Sequence, residues 1–193
     1  MNYPKYAEVN GKRYKINTSF RTAIECNRIA EDKTIGDYER AMGIICTLYG
    51  PDALDDYDNL TKLLEIATKF LSCGKELKDN LEEKDMDYIE DMDYIEASFM
   101  SDFGIDLENE EMHWWKFNKL INGLSNSELG NCCVLNRVRN LRNFDPKEVK
   151  DMKEREKIIK AKEMVALKKD KKENNLTSQQ EKSMNELNKI LGL

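Results

Sequence analysis

The side chains best suited to specific contacts lie in the segment MHWWKFNKLINGL, residues 112–124. In a helix, Trp114, Phe117 and Ile121 would share one side, at steps of three and four. Large aromatic residues with this spacing usually pack in a core. Two adjacent tryptophans cannot both face one narrow stripe, so Trp115 is the candidate interface residue, because tryptophan is enriched at interfaces. The candidate partner-binding residues of this segment are His113, Trp114, Trp115 and Phe117.

A second group of candidate binding residues is basic. The segment NRVRNLRN carries Arg137, Arg139 and Arg142. Guanidinium groups bind phosphates and carboxylates through a planar set of donors. The cluster is therefore a candidate contact for a partner, a phosphate or a nucleic acid. The alternative is structural: cations near a helix C-terminus that pair with the acidic middle of the chain.

Catalytic and metal-binding patterns are sparse. The chain has one histidine, His113, and no HExxH, glycine-rich phosphate loop or GxSxG sequence accompanies it. The five cysteines have no CxxC spacing, which favours reduced, buried thiols of a cytosolic protein over a disulfide framework or a metal site. Acidic pairs occur mainly in like-charged runs, unlike the carboxylates held in separate environments that hydrolytic sites need. We therefore expect no enzyme activity, no metal and no cofactor.

The hexapeptide DMDYIE occurs twice in succession, at 85–96. Six helical residues turn through about 600°, so two copies in one helix would face different sides. A calcium loop is not indicated, because the repeat lacks the glycine that an EF-hand places sixth. An apolar stripe at helical spacing nevertheless crosses both copies, and we predict that they form a single helix. Its members are Tyr88, Met92, Ile95 and Phe99.

The elements that position these residues are predicted to be mainly helical. Strand-like runs at 5–9 and 12–16 flank Asn10-Gly11, a dipeptide typical of type I′ hairpin turns. Helical periodicity and capping residues mark the remaining elements. Helices are expected to begin after Thr18 or Ser19, at Thr34, near Asp58, at Met112, at Ser127, at Asp145-Pro146 (running to about Lys172) and within SQQEKSMNELNKILGL.

Charge and length suggest how the elements are organised. Residues 51–111 hold 20 acidic and 5 basic side chains, while the whole 193-residue chain carries only −6. This asymmetry favours self-association or oppositely charged partners over nucleic acid. No run approaches the ~20 apolar residues of a membrane span. We predict a mainly α, multi-helix domain with a small N-terminal β-hairpin at 1–143, and a charged C-terminal helical arm at 144–193.

Three blocks of residues give the chain a family resemblance. They are YIEASFMSDFGIDL at 94–107, HWWKFNKLINGL at 113–124 and VRNLR at 138–142. Together they resemble the gene product fifteen family of tailed phages and prophages of Gram-positive hosts. That family combines an A-S-F block, a YGIDL-like turn, an LHWWxF helix start and a closing Ile/Val-Arg. Phe103 and Met112 stand where the family tends to have Tyr and Leu.

The resemblance implies a function in tail morphogenesis. Members encoded between the major tail protein and the tape measure protein are regarded as tail assembly chaperones. They keep the tape measure protein soluble and help tail-tube subunits to polymerise, in the host cytoplasm and without catalytic residues. The implied partners are the tape measure protein and the major tail protein. The alternatives are a structural tail or connector component that stays in the particle, and a small nucleic-acid-binding regulator that uses the arginine cluster.

Overall fold

The computed structural model of the protein describes residues 3–75, 84–126 and 132–168. Across these ranges the chain is mainly α-helical and opens with a two-stranded antiparallel hairpin, which confirms the predicted fold class. The strands are β1 (Tyr6–Val9) and β2 (Lys12–Lys15). The helices within the described ranges are α1 (Phe20–Glu31), α2 (Asp37–Tyr49), α3 (Leu60–Leu71), α4 (Met92–Phe103), α5 (Trp114–Asn122), α6 (Val134–Asn143) and α7 (Met152–Val165).

The hairpin and the start of α1 confirm the predictions made from turn and capping residues. Asn10 and Gly11 both have positive φ, 50° and 78°, as a tight hairpin turn requires. Ser19 is the residue that caps α1, because its Oγ accepts a hydrogen bond from the Arg21 N–H at 3.3 Å. The hairpin contributes one buried side to the core, with Ala7, Val9, Tyr14 and Ile16.

The predicted start of α2 at Thr34 is too early, since the helix begins at Asp37. The carboxylate of Asp32 accepts bonds from the Thr34 N–H at 2.8 Å and the Thr34 hydroxyl at 2.6 Å, which holds a turn before the helix. The end of α3 is as predicted: Cys73 and Gly74 follow it with φ of 55° and 74°.

The repeat does not form one helix, so that prediction is wrong for its first copy. Asp87 Oδ1 accepts bonds from the N–H groups of Ile89 at 2.8 Å and Glu90 at 2.9 Å, and the first copy forms turns. Aspartate competes in this way with helical bonding. Helix α4 begins at Met92, inside the second copy. Of the predicted stripe, Ile95 and Phe99 are buried in α4, whereas Tyr88 precedes the helix.

Helix α7 also begins later than predicted. Asp145 caps a short 3₁₀ turn, Pro146–Glu148, rather than the long helix. The chain is extended at Val149, and α7 begins at Met152, where Asp151 accepts a bond from the Glu154 N–H at 2.8 Å. α7 ends at Val165. The short helix predicted in SQQEKSMNELNKILGL lies outside the described residues.

Contacts group the described residues into two units. The first unit falls within Met1–Glu82 and Ile95–Ser125, and the second within Glu83–Tyr94 and Asn126–Leu193. The domain boundary at 143 and the separate arm stay predictions. All five cysteines lie within the described ranges, and each is a free thiol there. In the parts of the chain that the structure describes, no helix has both the length and the apolar content to cross a bilayer.

Candidate functional site

The HWWKF block starts α5 in the first unit, beside the start of α1. The Trp114 N–H donates to the Thr18 carbonyl at 2.7 Å, and the Phe20 N–H donates to the Met112 carbonyl at 3.0 Å. These bonds use backbone groups that a helix N-terminus leaves without helical partners. The two helix starts are therefore fixed side by side, which sets the direction in which the α5 side chains point.

Trp114 and Phe117 are core residues, as is usual for large aromatic side chains at helical spacing. The Phe117 ring stacks on Phe20, with centroids 4.7 Å apart, and on Phe99 at 5.2 Å. Trp114 is 1% exposed, and its Nε1–H donates to the Leu71 carbonyl at 2.9 Å. Both rings thus hold α5 against neighbouring elements of the first unit.

Trp115 is half-buried and differs from its neighbour in what it contacts. Its Nε1–H donates to the Phe70 carbonyl at 2.9 Å, at the end of α3. A Cβ at Gly74 would lie 3.3 Å from the Trp115 ring, so the small residue leaves room for the indole. The ring lines a cleft of about 300 Å³, here named the tryptophan cleft. Its lining residues are Cys73, Lys75, Trp115, Asn118, Lys119, Asn122 and Gly123. An interface role for Trp115 stays a prediction.

His113 is the N-cap of α5. Its Nδ1 accepts a bond from the Trp115 N–H at 3.1 Å, and its Nε2–H donates to the Pro4 carbonyl at 3.0 Å. The Tyr3 ring stacks on the imidazole, with centroids 4.8 Å apart. Burial lowers the pKa of His113, because it disfavours the charged form, although the Pro4 carbonyl acts in the opposite direction. The neutral ring therefore serves as a helix cap and as an anchor for the N-terminal segment.

This cap predicts a pH dependence of stability. Above the ordinary histidine pKa of about 6.5, both the folded and the unfolded chain hold a neutral His113, and the cap contributes fully. As the pH falls below that value, the unfolded chain binds a proton first, so the free energy of unfolding falls. His113→Asn is the matched control, because asparagine caps helices without titrating. Between about pH 7.5 and 5.5, the free energy of unfolding measured with denaturant should fall more for the wild type than for His113→Asn. An equal fall in both proteins would contradict the role of neutral His113 as the cap.

Asp56 organises a polar cluster. The sequence alone does not distinguish this residue from the neighbouring aspartates. Its Oδ2 accepts bonds from Lys12 Nζ at 2.8 Å, the Tyr14 hydroxyl and Asn59 Nδ2 at 3.1 Å. These donors, Lys12 first, lower the pKa of Asp56 to about 2. The cluster ties β2 to the turn before α3. It also fixes the backbone that presents the next residue, Tyr57, which is exposed.

Arg142 is the centre of the second unit. Its two terminal nitrogens donate to the two carboxylate oxygens of Asp91, each at 2.7 Å, and Asp91 is 1% exposed. Arg142 also donates to the Asp85 carbonyl at 2.9 Å and to the Val165 carbonyl at 2.7 Å. One side chain therefore connects α6, both copies of the repeat and the end of α7.

The other two arginines of the cluster differ in exposure. Arg139 pairs with the Asp85 carboxylate, its Nη2 lying 3.0 Å from Oδ2. Arg137 is exposed on α6. For Arg139 and Arg142, pairing with the acidic middle of the chain is what the structure shows. Contact of Arg137, Arg139 or Arg142 with a partner stays a prediction.

α7 presents apolar side chains to solvent. Of its fourteen residues none is buried, and Met152 and Met164 are 71% and 81% exposed. Ile159 is also exposed, and charged side chains surround all three. Most residues of α7 are good helix formers, but the helix buries no side chain fully, so it offers contact area that the described part of the chain does not use.

The fold and these sites define a small, mainly helical protein that opens with a β-hairpin and carries an aromatic HWWKF helix start. The chain belongs to the bacteriophage Gp15 protein family, whose family model matches residues 2–167. This confirms the resemblance drawn from the three sequence blocks and identifies a phage protein. No curated protein and no solved structure matches the chain.

Proposed function

We propose that this protein is a non-catalytic tail assembly chaperone that binds the tape measure protein, tail-tube subunits of the major tail protein, or both, during tail assembly in the host cytoplasm. The family membership supports a phage protein. The resemblance of the three sequence blocks supports the further assignment to tail assembly. The observation that carries it is α7, a described helix with no buried residue and with exposed methionines.

The chemistry of α7 suits a client that is long and helical. Helices bind helical partners through exposed apolar side chains. Met152 and Ile159 lie on one side of α7 and Met164 lies about 120° around it, so α7 offers apolar side chains on two sides. Methionine adapts to different surfaces, because its side chain is unbranched and polarisable. The charged residues between the apolar ones keep the unbound helix hydrated. Binding through such a surface is reversible, as a chaperone requires.

The test is co-expression with the tape measure protein and, separately, with the major tail protein. We expect more soluble client when this protein is present, and a complex of the two in size-exclusion chromatography. A client that stays insoluble while this protein elutes alone would contradict the proposal for that client. Purified particles supply the control for the structural-component alternative, because a chaperone is absent from them and a tail component is present.

A further inference from the structure

Two features of the first unit, at opposite ends of α3, carry side chains of opposite charge. The first precedes α3 and consists of exposed Tyr57 with Asp52, Asp55 and Asp58 around it. We name it the acidic turn. The second is the tryptophan cleft, which begins after α3 at Cys73. Beyond the client binding proposed above, we propose that the acidic turn of one copy binds the tryptophan cleft of a second copy.

The acidic turn has the form of a preorganised ligand. Tyr57 is 77% exposed although it is a large aromatic residue. The adjacent Asp56 is held by Lys12, Tyr14 and Asn59, so the backbone that carries Tyr57 is fixed before any contact forms. A rigid aromatic side chain loses little conformational entropy on binding and is a frequent interface hot spot.

The tryptophan cleft offers what such a ligand needs. Its volume of about 300 Å³ accommodates one aromatic ring, and the indole of Trp115 forms part of its wall. Lys75 and Lys119 are exposed residues of the lining, and the Lys119 Nζ lies 5.0 Å from the centroid of the Tyr3 ring. None of the described residues that line the cleft is acidic. Tyr57 would enter the cleft, and the aspartates beside it would face these lysines.

Because the two features lie beyond opposite ends of α3, a contact between them requires two copies of the chain. α3 has twelve residues, Leu60–Leu71, and is therefore about 18 Å long. The acidic turn precedes its first residue and the cleft follows its last, so the two cannot meet within one unit. Acidic and basic groups at these ends also suit the helix dipole of α3. The dipole does not explain the exposed tyrosine or the cleft, and these two features are the basis for proposing a contact between copies.

A contact between two different surfaces is heterologous, so each bound copy still presents one unused surface of each kind. Association then continues with concentration until a ring closes or an open row forms. This property provides a specific test. Blocking either surface stops self-association, but a copy with only a working turn and a copy with only a working cleft can still form one pair.

The experiment is sedimentation velocity of the full chain without client, over a concentration series at low ionic strength. We expect the wild-type mass to rise with concentration. Tyr57→Ser and Lys119→Glu should each remain monomeric, with self-association weakened at least about tenfold. An equimolar mixture of the two variants should give a dimer and nothing larger. Lys75→Glu is a second cleft variant if Lys119→Glu misfolds by circular dichroism.

The matched controls are Tyr38→Ser, which removes another tyrosine that is 69% exposed, and Lys116→Glu, an exposed α5 lysine outside the cleft lining. Both should associate like the wild type. A wild-type chain that stays monomeric, a mixture without dimer, or equal loss in the controls would overturn the inference. Because the assay contains no client, its failure is separate from a failure of the chaperone proposal.

Discussion

Arg142→Met is expected to lower the free energy of unfolding of the second unit by about 3–5 kcal/mol. The change leaves the carboxylate of Asp91, which is 1% exposed, without its two charged donors. It also removes the donors to the carbonyls of Asp85 and Val165. Methionine is unbranched like the arginine stem and is a good helix former, so the effect reports the lost charge and hydrogen bonds rather than a loss of helix propensity.

Two variants test the origin of this loss by denaturant unfolding. Arg139→Met removes a partly exposed ion pair with Asp85 and should cost only about 0–1 kcal/mol. Asp91→Leu combined with Arg142→Met should recover much of the stability, because no buried charge is left unpaired. If Arg142→Met costs no more than Arg139→Met, the buried pair does not organise the second unit.

Phe117→Ala is expected to cost about 3–5 kcal/mol in the first unit. Its ring is fully buried and stacks on Phe20, Phe99 and Trp114, so the truncation leaves a cavity among three other aromatic rings. These rings belong to different helices and cannot readily close the gap.

Phe103→Ala is the matched control for this cavity. Phe103 makes an edge contact with Phe99 but is 37% exposed, so the same chemical change removes less buried surface. We expect it to cost clearly less than Phe117→Ala in thermal or denaturant unfolding. Similar losses for the two variants would mean that Phe117 is not the centre of the aromatic core.

Local signals predicted much of the fold. The Asn10-Gly11 turn, the Ser19 cap and the end of α3 at Cys73-Gly74 each depend on the backbone preferences of one or two residues. The stripe of Trp114 and Phe117 was also readable, because helical spacing alone separates these residues from Trp115. Such features need no knowledge of distant parts of the chain.

The repeat shows what local reasoning cannot supply. Its two copies have identical sequences, yet the first forms turns and the second opens α4. The carboxylates differ in their partners: that of Asp91 in the second copy binds Arg142, 51 positions away, whereas that of Asp87 in the first copy binds backbone N–H groups two and three residues later. The sequence DMDYIE does not indicate which of its aspartates pairs with an arginine. Tertiary contacts therefore override local propensity here.

Asp56 illustrates the same limit at the candidate site. It is one of several aspartates in LDDYDN, and the sequence does not reveal that Lys12, Tyr14 and Asn59 converge on it. The 77% exposure of the adjacent Tyr57 is likewise not predictable from its residue type. The sequence predicted an acidic middle that favours oppositely charged partners, while the structure supplied the particular side chains.

Co-expression with methionine variants of α7 tests whether this helix binds a helical client through its exposed methionines. The tape measure protein is co-expressed with the wild type, with Met152→Gln/Met164→Gln, or with Lys153→Gln/Glu163→Gln as the control, and the soluble client is quantified. Glutamine is close to methionine in size and supports helices, so both variants should stay folded. We expect the methionine variant to lose most of the solubilised client and the control to retain it. Equal client yields for all three proteins would contradict the claim.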